Sequence, residues 1–276
     1  MMGTIFEYDF LVRSILAALF GSITAGIAGT YIVSRRLVFL SGGVTHASFG
    51  GIGLGYFLGI NPVIGAAFFG IASAVSIEYL SEKQKVKEDS AIGFLWAFGM
   101  AVGIIFVYLT PGYTPNLMSY LFGSLLTIGP ADLYALMGLT VILVLFFSFY
   151  YRTILYISFD ESFARTIIPN VSLFKYILIV LVSLVIVLNI RIAGVVLVLS
   201  MLTLPPNIVL LFTRNFRKVI VWSVVTGFAG MISGLAASWF LDIPTGATVI
   251  FVLVITWIVL RLITNMAARS RRKQAV

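Results

Sequence analysis

VSLFKYILIVLVSLVIVLNIRIAGVVLVLSMLTLPPNIVLLF, residues 171–212, holds only two charged side chains, Lys175 and Arg191, in 42 positions. A helix rises about 1.5 Å per residue and needs roughly 20 apolar residues to cross a ~30 Å hydrocarbon layer. The stretch therefore divides at Arg191 into two spans, Val171 to Ile190 and Ile192 to Phe212. Its apolar residues do not alternate with polar ones as a membrane barrel strand requires, so the backbone satisfies its own hydrogen bonds as helix. Working outward, similar runs lie at Phe10 to Val33, Leu37 to Ile60, Val63 to Leu80, Ala91 to Leu109, Leu133 to Tyr151, Val219 to Phe240 and Thr245 to Thr264. That makes nine spans, or eight if one early run only lies at the interface. The whole chain, 1–276, reads as one all-α, polytopic transmembrane bundle. At 61% hydrophobic and 10% charged residues, with mean hydropathy +1.11, it is far from the roughly 45–50% apolar content of soluble domains. A soluble globular protein is excluded.

Basic residues fix the orientation, because Lys and Arg are retained in cytoplasmic loops. Arg35, Arg36, Lys83, Lys85, Lys87, Arg152, Arg165, Lys175, Arg214, Arg217, Lys218, Arg261, Arg269, Arg271, Arg272 and Lys273 fall on one side of the span pattern; Arg13 and Arg191 fall on the other. The basic tail, about 265–276, and the loops at Ser81 to Ser90 and Arg152 to Lys175 are thus placed in the cytoplasm. Nine spans put the N-terminus outside, eight put it inside. The first run is too long, and too soon followed by another, to read as a cleaved signal peptide. The formal net charge of +8 reflects this topology, and a nucleic-acid partner is not expected. With no cysteine and one histidine, thiolate metal sites, disulfides and most hydrolase designs are excluded, and none of the six lysines sits in a P-loop, so the chain itself binds no ATP. The outer stretch Thr110 to Asp132, broken by Pro111, Gly112, Pro115, Gly129 and Pro130, is either a connector or a cover for a pore mouth.

SGGVTHASFGGIGLGYFLG, Ser41 to Gly59, contains seven glycines, and Gly43, Ala47, Gly51, Gly55 and Gly59 recur every fourth residue along one helix stripe. Such stripes let helix backbones approach closely in lipid, and packing alone accounts for them. His46 is different. Nine residues from Leu37, it lies about 13 Å deep, near mid-bilayer. A polar ring there either bonds to a neighbouring helix or faces a pathway. Thr45 and Ser48 are oxygen donors beside it, and neutral imidazole binds divalent metals or carries protons, so His46, Thr45 and Ser48 are the candidate metal pathway.

Asp132 and Asp242 fall at outer span ends, where solvation is the simpler placement. Asn189 and Asn207 are expected to hydrogen-bond between helices, and Glu78 to cap at the interface. Pro205 and Pro206 predict a kink in the seventh span. The cytoplasmic segment ILYISFDESFARTIIPN, 154–170, has a helix-start signal at Ser158 or Asp160 and Phe159, Phe163 and Ile167 at four-residue spacing. It reads as a short amphipathic helix, either flat on the lipid or seated in a partner's groove by Phe163 and Ala164, with Asp160, Glu161 and Arg165 at the rim.

SGGVTHASFGG, LMSYLFGSLLTIGPADL (117–133), SFDESFAR (158–165), RIAGVVLVLSMLTLPPN (191–207) and LDIPTGATVI (241–250), in this order, resemble the permease subunits of ABC importers for zinc, manganese or ferrous iron. The resemblance covers nearly the whole chain. It implies a two-fold dimer of permeases in a bacterial inner membrane, a cytoplasmic ATPase dimer that holds the ATP, and an extracytoplasmic metal-binding protein that delivers the ion. Zinc is ranked first as cargo, and manganese or ferrous iron second. In such permeases the loop matching 154–170 docks on the ATPase, which assigns coupling to Phe159, Asp160, Glu161, Phe163, Ala164 and Arg165. Import then proceeds by alternating access. The family's usual aspartate four residues before the histidine is absent, since Gly42 stands there. A competing reading is an ATP-independent ion transporter with His46 as proton relay.

Overall fold

The computed structural model describes residues 9–112 and 128–274, with side chains as far as 268. Among them are ten helices and no strand: α1 Asp9–Ser34, α2 Val38–Leu58, α3 Pro62–Glu82, α4 Glu88–Leu109, α5 Pro130–Phe149, α6 Tyr151–Phe159, α7 Glu161–Ile167, α8 Val171–Val209, α9 Phe216–Leu241 and α10 Thr245–Gln274. Most of the outer stretch 110–132 lies outside the described residues, as do the side chains of the basic tail from Arg269 onward.

Among the described residues seven helices are long and apolar enough to cross a membrane by length and composition, against the eight or nine spans expected. The difference has two sources. Helix α2 has the length, 21 residues, but its glycines, hydroxyls and His46 dilute its hydropathy. The expected sixth and seventh spans are joined in the 39-residue α8. Helix α8 is not straight, however. Gly194 has φ 79° and ψ 162°, a region of backbone space that is essentially glycine-only.

Contacts with α1 show what this break does. Lys175 lies at the Ser34 end of α1, through Glu161, which it shares with Arg35. Fourteen residues on, the Asn189 amide donates to Thr24 Oγ1 (3.1 Å), so the first limb of α8 runs antiparallel to α1. Continued straight, Leu202 would lie about 20 Å further toward the start of α1. Instead its carbonyl abuts Gly29, closer to Ser34 than Thr24 is. The chain reverses at Gly194, and a second limb returns toward the face it came from. Pro205 and Pro206, expected to kink or break this segment, do not break it: both keep helical dihedrals, since proline's fixed φ is compatible with a helix.

Helix α8 is the hub, packed against α1, α2, α3, α5, α9 and α10, and its buried Leu178, Val185, Ile186, Leu197 and Leu202 join Ala17, Ala28, Tyr31, Leu136 and Leu143 in the main core. On α2 the small-residue stripe is shared between neighbours. Gly43 and Ala47 meet α4 at Ile92 and Gly99, while Gly51 and Gly55 meet α3 at Gly65 and Pro62. The Gly51–Gly65 contact is reciprocal, since a Cβ on either would strike the other's carbonyl oxygen. Gly59 does not belong to the packing stripe. It lies past the end of α2, has φ +66°, and nothing surrounds it, so its glycine serves a left-handed C-cap.

These contacts separate two glycine substitutions. Gly51→Ala forces two helix backbones apart and is expected to destabilise by about 1–3 kcal/mol. Gly93→Ala on α4, where no atom lies within 4 Å, is expected to be neutral or stabilising by up to about 1 kcal/mol. Thermal unfolding of the two variants in detergent measures the contrast.

Candidate functional site

His46 sits on the third turn of α2, half-buried, with its ring stacked on the Trp96 indole of α4 at 4.1 Å between centroids and 9° between planes. Among the described residues the imidazole has no hydrogen-bond partner, and its contact with the neighbouring helix is this stack. Stacking occupies a face of the ring and leaves the nitrogens at its edge, which are the atoms that bind a metal or a proton. One turn earlier, a Cβ at Gly42 would meet only Trp96 (3.6 Å) and Leu199 (3.9 Å), at ordinary contact distance. Trp96 thus spans the space from position 42 to His46 and brings in the returning limb of α8.

Thr45 and Ser48 are not brought to the ring. Both are buried, and their hydroxyls donate to the carbonyls of Ser41 (2.6 Å) and Val44 (2.7 Å) on their own helix. Ser48 faces Gly70 of α3. Residues two apart on a helix point in nearly opposite directions, which explains the separation of His46 from Ser48. Among the described residues no group of three or more His, Cys, Asp or Glu side chains converges to hold a metal. The described residues around His46 thus form no closed metal cage.

The second candidate region is the cytoplasmic segment 154–170. It forms two short helices instead of one, because Asp160 leaves helical geometry (φ −148°, ψ 94°) and its carboxylate accepts the Phe163 N–H (2.9 Å) as the N-cap of α7. Phe159 closes α6 against Phe216, and Tyr156 packs edge-on against Phe163. Phe159, Phe163 and Ile167 are 64%, 50% and 51% exposed. Ala164, expected beside Phe163 in a partner's groove, points the other way and is fully buried with Ile157 and Val171.

Glu161 and Arg165 form more than a rim. Glu161 accepts from Arg35 of the α1 end (3.0 Å), from Arg165 (2.7 Å) and from Lys175 of α8 (3.0 Å). Lys175, 6% exposed, also meets Glu78 of α3 (2.6 Å), and Arg165 reaches Glu82 of α3 (2.8 Å). Glu78 is thus an ion-pair partner and not the interfacial cap expected for it. Arg35 further donates to the Ile157 carbonyl (2.9 Å). A seven-residue helix, too short to be stable alone, is tied in this way to α1, α3 and α8. At the opposite end of the bundle Arg191 pairs with Asp132 (3.3 Å).

Burial pulls the Glu161 carboxyl upward, but hydrogen bonds from Arg165, Lys175 and Arg35 outweigh it and hold the pKa at about 2, against an ordinary 4.5. A depressed carboxyl stabilises the folded form above its unfolded pKa and stops doing so as pH falls toward the folded one. The Glu161 contribution is therefore expected to be constant at neutral pH and to vanish between pH 4.5 and about 2. Thermal melts of wild type and Glu161→Gln checks this. The gap between them at pH 7 should narrow steeply by about pH 3.

Asn189 bonds between helices as expected, to Thr24, whereas Asn207 donates to the Thr203 carbonyl of its own helix (2.8 Å). Trp96 and the ion cluster escaped sequence reasoning. Their partners are far apart in the chain, and the only available signal was the coincidence of Glu78, Glu82 and Lys175 at span ends.

The model of the ABC 3 transport family matches residues 7–264. A protein of Chlamydia pneumoniae described as a probable metal transport system membrane protein is 37% identical over 87% of this chain and 84% of its own. The manganese transport system membrane protein MntC of Listeria monocytogenes is 30% identical over 92% and 90%. Among solved structures, PsaBC from Streptococcus pneumoniae in complex with Fab matches with TM-score 0.83 and 26% identity, covering 94% of this chain and 95% of that one.

Proposed function

Because the chain belongs to the ABC 3 transport family, whose members are transport permeases and not enzymes, we propose that two copies of it form the membrane path of an importer that carries a divalent transition-metal ion inward. The observation that carries this reading is His46, only partly buried and without a hydrogen-bond partner among the described residues, in the middle of a largely apolar bundle. Manganese is placed first and zinc second. This order rests on the relatives named for manganese transport. A single imidazole per chain leaves most of the ion's shell to water and neutral oxygens, an environment that suits manganese better than zinc.

In this reading the C-terminus is cytoplasmic, and α2 together with the two limbs of α8 completes nine membrane segments. An extracytoplasmic binding protein delivers the ion, and an ATPase dimer docks on Phe159, Phe163 and Ile167. ATP-driven closure of that dimer moves α7, and the Glu161 cluster passes the movement to α1, α3 and α8, so that His46 faces alternately outward and inward.

Docking is tested by co-purification. Phe163→Asp sets a charge in the middle of the exposed apolar patch and is expected to lose the ATPase from the purified complex, while Asn61→Asp, which adds the same charge at the outer start of α3 and keeps its N-cap, retains it. Retained ATPase with normal uptake in Phe163→Asp overturns the docking role. Uptake that persists without ATP but needs a proton gradient overturns the importer reading in favour of a proton-linked carrier.

A further inference from the structure

We propose that Ser200, Thr203 and Asn207, on the returning limb of α8, line the cytoplasmic half of the ion's route below His46; this rests on the importer reading above. The three residues are spaced three and four apart, so they share one helix face, and that face is the one left uncovered: Ser200 and Thr203 are half-buried and Asn207 is exposed. Their position follows from contacts already described. Leu199, beside Ser200, lies against Gly42 one turn from His46. The limb then runs inward, with Leu202 level with Gly29 and Asn207 about 8 Å beyond it. The row begins at the level of Gly42, one turn from His46, and runs toward the end of the bundle that holds Ser34.

The chemistry of the row fits a cation. Ser200 Oγ donates to the Val196 carbonyl (3.2 Å), Thr203 Oγ1 to the Leu199 carbonyl (2.8 Å), and Asn207 Nδ2 to the Thr203 carbonyl (2.8 Å). Both hydroxyl protons, and an amide N–H of Asn207, are thus engaged within the helix. What remains toward the open side is a file of neutral oxygen acceptors. Among the described residues the Asn207 Oδ1 atom has no partner, and an amide in that state is poorly tolerated by hydrocarbon. The exposed face of α10, in contrast, presents Phe251, Ile255, Ile258, Val259 and Leu262, a surface suited to lipid. Neutral oxygens without a carboxylate hold a partly hydrated divalent cation weakly, which is what a release path needs.

The chain has no cysteine, so single substitutions report without background. Ser200→Cys, Thr203→Cys, Asn207→Cys and, as lipid-facing control, Ile258→Cys are made in the full importer in inside-out vesicles. A permanently charged methanethiosulfonate reagent is expected to modify positions 203 and 207 at least about tenfold faster than 258, with manganese slowing the reaction, and a membrane-permeant maleimide to modify 203 and 207 as well while 258 stays slow, because a thiol in hydrocarbon does not ionise. Modification of 203 and 207 by the maleimide alone, or by neither reagent with and without an ATP analogue, overturns the inference. Asn207→Leu is expected to cut maximal uptake about tenfold with KM unchanged, and Asn207→Gln to restore it. An effect confined to KM counts against a release path. ATP-driven release by the wild type of manganese loaded, with its binding protein, into the lumen of the same vesicles separates the two levels: if it is absent, the importer reading fails; if it is present while 203 and 207 stay unlabelled by the charged reagent, only the route is wrong.

Discussion

Cells that depend on this permease are expected to lose manganese accumulation when His46 is replaced by Ala, with initial uptake down by about 100-fold or more. Loss of a group that merely supports a metal ligand costs about 10–100-fold, and here the proposed ligand itself is removed. Nothing nearby can substitute, because Thr45 and Ser48 are buried against their own helix and no other histidine exists in the chain. The void left by the ring is small, and Trp96, 37% exposed, can settle toward it, so the variant is expected to fold. Equal expression, unchanged ATPase association and an unchanged melting curve would confirm that the loss is chemical. Uptake within twofold of wild type would remove His46 from the path. Gly42→Asp provides the converse arm. The space at position 42 accepts a side chain, and a carboxylate four residues before His46 lies on the same helix face, so KM for manganese is expected to fall while maximal uptake drops through slower release.

Glu161→Gln is expected to separate ATP hydrolysis from transport. The substitution keeps the size of the side chain and removes the charge that Arg35, Arg165 and Lys175 share, leaving a nearly buried ammonium with Glu78 as its remaining close partner. Removing one partner from a buried ionic group costs about 3–5 kcal/mol, and the partial exposure of Glu161 places its cost at or below the lower end of that range. The Phe163 patch does not take part in the ion cluster, so the ATPase is expected to remain bound. Hydrolysis should therefore continue while metal uptake per ATP falls at least about tenfold. Phe163→Asp gives the opposite phenotype, with the ATPase lost from the complex. Uptake per ATP unchanged in Glu161→Gln would show that movement reaches the spans by another connection.

The sequence disclosed what repeats or stands alone. Apolar runs gave the helices, and one imidazole in a greasy span was conspicuous. Arg191 divided the 42-residue stretch close to where the chain reverses, three residues from Gly194. The turn itself was hidden, because a glycine in a membrane helix is ordinary and only its dihedrals reveal the reversal. For the complementary reason the two prolines do not interrupt the helix, since their fixed φ fits helical backbone. Long-range electrostatics was the least legible part. Glu78, Glu82, Arg35, Glu161, Arg165 and Lys175 belong to four separate segments, and nothing in local spacing says that they meet. Spacing also combined Phe163 and Ala164 as neighbours on one surface, whereas 100° of helix rotation per residue puts one outside and the other in the core.

The reciprocal seam between Gly51 and Gly65 bears on how the chain enters the bilayer during synthesis. Helix α2 has the weakest partitioning tendency of the long helices, since it alone falls short of the hydropathy of a free-standing span. Its small residues are useful only once a second helix lies against them. The ribosome supplies that helix at once, because Asn61 accepts the Val63 N–H to start α3 just three residues beyond α2. The translocon thus receives the pair as one hairpin, and the residue that would bind the cargo is carried into the membrane by its neighbour's greasiness.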